Sequence, residues 1–493
     1  MKIKAVIEKG TMFLLTLILI ASSELMAQQS KLPTQQELEK MGIEEWKNQI
    51  RREKFDIILP KIMKKRKVDM WIHVMRDAVE DPFGEKDLGS ASGVFVFTDR
   101  GSDRIERAII GRRWGGSQRG WRSHLDSSLE NSKAFDIIGE PVFVVEPIAQ
   151  PLTEYDFRFK GLKEFVEERD PKVIALNFMD KIASWPTSQE IYDGISHTDY
   201  RLLTKELGEK YSDRIISSEY LMMDYQISPV PSEVKMLKKM RQDELVEVEK
   251  IFKDIIPGKT KVKNYGQIGD SDNDEAYVVP FRRMSTGLSQ RARSEGWENA
   301  VVEGGDIIAA TTQAIFGYVL REGETEAPQE IKKLWEAYKK IDQIFAETIR
   351  VGRTPREIVK DYTERFKKIN VEVEDDQMHM IQPKNNYPEY AKKYGPEKII
   401  ISVDCHGKGM GATAEKHDIY LGPRIGSYGP DWVLDVPLQE NHHFVLEYFF
   451  YMPSPGPKDK DQYLFFWDHE QAFVTKDGVE YLAPQQDELI LIK

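Results

Sequence analysis

Between residues 44 and 67 apolar side chains recur at helical spacing with charged positions between them, which predicts an amphipathic helix. The pattern then tightens into Val68-Asp69-Met70-Trp71-Ile72-His73-Val74, a short apolar run of strand length. Further strand-like runs stand at 94–98, 141–145, 173–178 and 214–218, and a helical stretch near 200–207 separates the last two. Strands alternating with helices in this way predict an α/β layer. No glycine-rich dinucleotide turn accompanies them.

At Pro229-Val230-Pro231 two prolines make a stiff joint, and Ser232 beyond it offers a helix cap. We divide the chain there, into domains 28–231 and 232–493. The next helix places Val234, Leu237, Leu245, Val248, Phe252 and Ile255 on one side and is stopped by Pro257-Gly258. A second runs over about 329–350, with Ile331, Leu334, Trp335, Tyr338, Ile341 and Phe345 as its apolar stripe. A third has the clearest start: Thr354 as N-cap, Pro355 at the first helical position and Glu357 at the third, a capping box that satisfies orphaned amides. Beyond it the chain turns strand-rich, opening with the buried-strand pattern Ile399-Ile400-Ile401-Ser402-Val403.

Composition adds a compartment. Lys2, Lys4 and Lys9 precede a ten-residue apolar stretch from Met12 to Ala21, and Leu25-Met26-Ala27 closes the segment. This is the pattern of a secretory signal peptide, residues 1–27, and the stretch is too short to span a bilayer. We expect an exported protein, periplasmic or extracellular, with no membrane span after cleavage. Removing three lysines and two glutamates takes the formal charge from −12 to −13. So acidic a chain is no obvious nucleic-acid binder, and the basic run at 61–67 is expected to be the solvated face of an amphipathic helix. With the single cysteine, Cys405, no internal disulfide can form.

The candidate chemistry lies near the C-terminus. Cys405-His406-Gly407-Lys408-Gly409-Met410-Gly411 places a histidine and a glycine turn at a strand end, a setting suited to metal ligation or acid–base work. Glu447 lies in an apolar strand, where a buried carboxylate needs a partner such as a metal, His406 or an arginine like Arg321. His406, Glu447 and His469 have the residue types of a two-histidine, one-carboxylate site for one ion. His442 and His443 are adjacent on a strand and must face opposite ways, and the same argument separates Cys405 from His406 as a nucleophile–base dyad. The glycine turn lacks the GK[ST] of a phosphate loop, and 270–274 lacks the glycine and late glutamate of a calcium loop.

The order of motifs is informative: Gly305-Asp306-Ile307-Ile308, then 351–358 around the capped helix, then His406-Gly407-Lys408-Gly409, Phe444-Val445-Leu446-Glu447, and 473–480. Together they resemble the pita-bread family of methionine aminopeptidase, aminopeptidase P, prolidase and creatinase. The N-terminal half resembles the aminopeptidase P and creatinase N-domain through 68–77 and 173–178. The resemblance implies a creatinase/prolidase-like N-terminal α/β domain followed by an α+β pita-bread domain, helices packed on a curved antiparallel sheet. It implies an Xaa-Pro aminopeptidase- or creatinase-like hydrolase of peptide or related C–N bonds, a peptide or small amide substrate, and it allows a homodimer.

Metal-dependent members use an aspartate pair on a hairpin after the GD motif, the HGxG histidine and two late glutamates. His406 and Glu447 match two of these five. The first aspartate falls at Thr311 and the last glutamate at His469; the second aspartate falls at Arg321, Glu322 or Thr312 according to the register chosen. None is aspartate, and 307–320 contains no carboxylate. Relatives also carry a histidine before the GD motif, where this chain offers Arg291 and Arg293. The expected site is therefore reduced: His406, Glu447 and His417 as catalytic groups, Arg321 toward substrate, and either one divalent ion (Mn, Zn, Co or Fe) on His406, Glu447 and His469 or no metal, as in creatinase. His417-Asp418 resembles the pair that orients substrate in relatives. A silent homologue that binds peptide or a partner protein in the same cleft, and a subunit that only supports dimerisation, are the alternatives.

Overall fold

The computed structural model describes residues 32–75, 81, 87–89, 93–110, 129, 131–139, 159–180, 194–261, 301–310, 315–374, 392–395, 397–409, 417–418, 422–426, 434–453 and 463–493. Residues 1–27, expected to be a signal segment, the 141–145 run, Arg291 and Arg293, and the 270–274 loop lie outside them.

The N-terminal part opens with helices α1 (Gln35–Lys40) and α2 (Ile43–Glu53), and continues through a wide turn into α3 (Leu59–Arg66). The basic end of α3 is less solvated than expected, because Lys65 and Arg66 both reach the buried Asp224 carboxylate, at 2.9 and 2.6 Å. Strands β1 (Met70–Met75), β2 (Gly93–Asp99), β3 (Ile105–Ile110) and β4 (Ile137–Ile138) follow, then α4 (Leu162–Arg169) and β5 (Ile174–Leu176). Helix α5 (His197–Leu207), β6 (Ile215–Ser217) and α6 (Glu219–Gln226) complete this part. The sheet has the order β4-β3-β2-β1-β5-β6. Its β1–β5–β6 side is parallel and its β1–β2–β3 side antiparallel. One face packs on α2 and α3 through Phe55, Phe95 and Trp71; the other packs on α4 and α5 through Val166 and Leu203. Strand β3 was not expected, because Glu106 and Arg107 interrupt its apolar run.

Helix α7 (Pro231–Asp254) starts two residues earlier than a Ser232 cap predicts, with Val230 as its N-cap. Pro231 takes the first helical position, where a missing N–H costs nothing. Ser232 therefore does not cap: its amide and hydroxyl both donate to the buried Glu53 carboxylate, while Glu233 accepts from the Val230 amide. The hinge is thus tied to α2.

Past α7, β7 (Ile307–Ala310) and β8 (Ile315–Val319) form a hairpin joined by β16 (Ile490–Ile492) from the C-terminus. Helices α8 (Gln329–Thr348) and α9 (Pro355–Lys368) follow. In α9 the predicted box is present, with Thr354 Oγ1 accepting from the Glu357 amide and Glu357 accepting from the Thr354 amide. The main sheet contains β9 (Val371–Val373), β10 (Ile399–Gly409), β11 (His417–Asp418), β12 (Arg424–Gly426), β13 (His443–Pro453), β14 (Tyr463–Val474) and β15 (Val479–Tyr481). All of its pairings are antiparallel except β9 with β10. Alternation along β10 sends Ile401, Val403 and Cys405 into the core against Phe345, Tyr362 and Phe366 of α8 and α9. His406 and Asp404 are left for the opposite face.

Candidate functional site

His406 is brought to Glu447 by strand register. β10 and β13 pair antiparallel with His406 opposite Val445, so Glu447 is its diagonal neighbour on the same face. His406 Nε2 lies 3.3 Å from Glu447 Oε2, and its Nδ1 lies 3.2 Å from the Gly407 carbonyl oxygen. The imidazole is buried, while the Glu447 side chain keeps 15% of its surface open. Both ring nitrogens thus look at oxygen acceptors, an arrangement that a hydrogen on each nitrogen satisfies.

Two residues back along β10, and hence on the same face, Asp404 is clasped by Arg424. Arg424 Nε donates to Asp404 Oδ1 at 2.5 Å and Nη2 to Oδ2 at 2.6 Å, a bidentate fork with both side chains at least nine-tenths buried. β12 sets Arg424 opposite His406. A fixed guanidinium therefore stands on the strand beside the histidine. Sequence reading missed this pair, because twenty residues separate its members and neither belongs to a recognisable motif.

On the β14 side, the main chain of His469 stands opposite Glu447, and Glu470 stands opposite Leu446. Glu470 faces the core and is held by Arg241 of α7, whose Nη2 lies 3.1 and 2.9 Å from its two oxygens. Burial, only partly offset by Arg241, pushes the Glu470 carboxyl up to about 7. Nearby, Asp468 Oδ2 accepts hydrogen bonds from Tyr338 at 2.8 Å and Tyr448 at 2.6 Å. Burial first, then the charges of Glu470 and Asp342, raises Asp468 to about 8. These groups lie behind the sheet and support the strands that carry His406 and Glu447.

Cys405 points into the core with Sγ 3.6 Å from the Glu447 carbonyl oxygen, and burial raises its thiol well above the usual range. It is thereby set apart from His406, as strand alternation requires. His443 meets Gln471 Oε1 at 3.1 Å through Nε2. His442 is fully buried against Phe444, and neither of its ring nitrogens has a hydrogen-bond partner among the described residues. Burial lowers it to about 3, so it stays neutral.

Arg321 is placed away from this cluster. Its Nη1 donates to Tyr318 Oη at 2.9 Å and to Glu324 Oε1 at 3.1 Å, in the turn after β8, and its side chain is 56% exposed. The GD motif leads into the hairpin as its resemblance implies, with Asp306 Oδ2 accepting from the Glu303 amide. Positions 311 and 312 lie outside the described residues. His417 pairs through its main chain with Gly409, at the open end of β10.

Among the described residues no group of three or more His, Cys, Asp or Glu side chains is assembled that could hold a metal. His406 and Glu447 are adjacent donors, but Asp404 is spent on Arg424, whose cation repels a dication. The donor set among the described residues does not fit a dinuclear centre, since no carboxylate there stands to bridge two ions.

No family model matches the chain, and no curated protein matches it. Solved structures do. The chain is similar to an X-Pro aminopeptidase from Thermotoga maritima MSB8, at 14% identity and a TM-score of 0.49 over 88% of this chain and 100% of that one. It is similar to an Xaa-Pro dipeptidase from Bacillus anthracis at 14% identity and a TM-score of 0.49, covering 88% and 98%. A prolidase from Pyrococcus horikoshii OT3 follows at 16% identity and a TM-score of 0.44, covering 88% and 98%. The likeness is one of fold, and no reaction is read from it.

Proposed function

We propose that this chain is an exported hydrolase of peptide or related C–N bonds, in the manner of an Xaa-Pro aminopeptidase or creatinase, with His406 and Glu447 at its centre. The observation that carries the reading is their 3.3 Å contact on one face of the sheet, His406 buried and Glu447 partly open.

A partly open carboxylate can orient a water and take its proton as the water adds to an amide carbon. The paired imidazole, carrying a hydrogen on Nε2, can deliver a proton to the departing nitrogen. Arg424 and Asp404 act as positioning residues, fixing β12 against β10, the strand that carries His406. No step here passes through a metal. One divalent ion on His406 and Glu447, with His469 as the third donor, is the arm that elemental analysis tests. Export rests on the sequence of residues 1–27, and homodimerisation on the motif resemblance alone.

The test is turnover of a panel of Xaa-Pro peptides and creatine-like amides by the mature protein, with metal content measured in parallel. Turnover that His406→Ala and Glu447→Gln remove supports the proposal. Absence of turnover with or without added Mn, Zn, Co or Fe overturns it.

A further inference from the structure

The outer side of α8 carries a cavity of about 430 Å³ where that helix meets the end of α9 and the first residues of β9 and β10. Its floor is apolar, formed by Ala337, Ile369, Val371 and Ile399. Its rim is basic, with Lys332, Lys333 and Lys340 from α8 and Lys368 from α9. The volume falls in the range of small-molecule sites.

The charges at the rim are not neutralised from within. Lys332 reaches Glu326 at 2.7 Å, and Glu336, the acidic residue at the cavity, is drawn off by Lys339 at 2.8 Å. Lys333, Lys340 and Lys368 are exposed and have no ion pair among the described residues. Three unopposed cations around an apolar floor reverse the local sign of a chain whose formal charge is −12. An apolar body would cover the floor, and an anionic head would meet the lysines.

We propose that this cavity binds a small organic anion with an apolar body, a carboxylate or sulfonate on an aromatic or aliphatic frame. The site is separate from His406, which lies on the opposite face of β10 and seven positions beyond Ile399. It does not depend on the hydrolase reading.

The probe is 3-phenylpropionate, titrated calorimetrically into the full mature protein, with the neutral 3-phenylpropanol as control. Saturable 1:1 binding is expected, weakening as salt is raised and reduced by about tenfold or more in the Lys333→Glu/Lys340→Glu variant. Both lysines are exposed, so the variant should retain the parent's circular dichroism and melting temperature. Ala337→Trp, which fills the floor, should also remove binding, whereas His406→Ala should not change it. No saturable binding, equal binding of the alcohol, or binding unchanged in the charge-reversed variant would each overturn the proposal.

Discussion

His406 sits between the Glu447 carboxylate and a backbone carbonyl, and beside a guanidinium that is itself neutralised by Asp404. Three substitutions test this arrangement. His406→Ala should cost about a hundredfold or more in turnover, as loss of a proton-transferring group does, whereas Arg321→Ala should change it by less than about twofold. Steady-state kinetics on one peptide substrate checks both, since Arg321 is occupied by Glu324 and Tyr318. Arg424→Leu should destabilise the fold by about 3 kcal/mol, because Asp404 would be left buried and alone. Denaturant unfolding of the variant against its parent measures this. His406 was visible in sequence because a glycine-rich stretch follows it after an apolar run, and Glu447 because it interrupts an apolar strand. Asp404 was hidden in plain view two residues from His406, since nothing local reveals that Arg424 will lie across from it.

At the scale of elements, α9 was readable from its first four residues, because the capping box is a local device whose hydrogen bonds span three positions. The start of α7 was misread for the opposite reason. Ser232 has the side chain of a cap, but Glu53, far away in sequence, claims its hydroxyl. The β14 strand gives a pH prediction. Asp468 and Glu470 are pushed up to about 8 and about 7, and Asp342 of α8 to about 6, in each case chiefly by burial. Each binds its proton more tightly in the folded chain than in the unfolded one, so stability should fall as pH rises from about 4 to about 8. Asp468→Asn, which keeps an acceptor for Tyr338 and Tyr448, should flatten this slope. Unfolding midpoints at pH 5 and pH 8 give the answer; parallel slopes in variant and parent would contradict it.

For the whole molecule, the alternation of strands and helices in the N-terminal part and the strand-rich end were legible from periodicity. The way α7 links them was not. Its Arg241 enters the buried surface of β14 through Glu470, while its first turn is bound to Glu53 at the end of α2 and to Lys54 just beyond it, the latter 3.3 Å from Glu233. Helix α7 thereby ties α2 to the sheet that carries His406, by contacts between residues more than 170 positions apart. Among the described residues no helix is long and apolar enough to cross a membrane. If residues 1–27 direct export, N-terminal sequencing of protein recovered outside the cytoplasm should begin at Gln28.

The most direct measurement of the central claim is hydrolysis of Xaa-Pro peptides and creatine-like amides by metal-analysed, mature protein, beside its His406→Ala and Glu447→Gln variants. The account predicts turnover by the parent and its loss in both variants with the fold intact. Turnover that survives both substitutions, or a parent inactive on every substrate with every added metal, would contradict it.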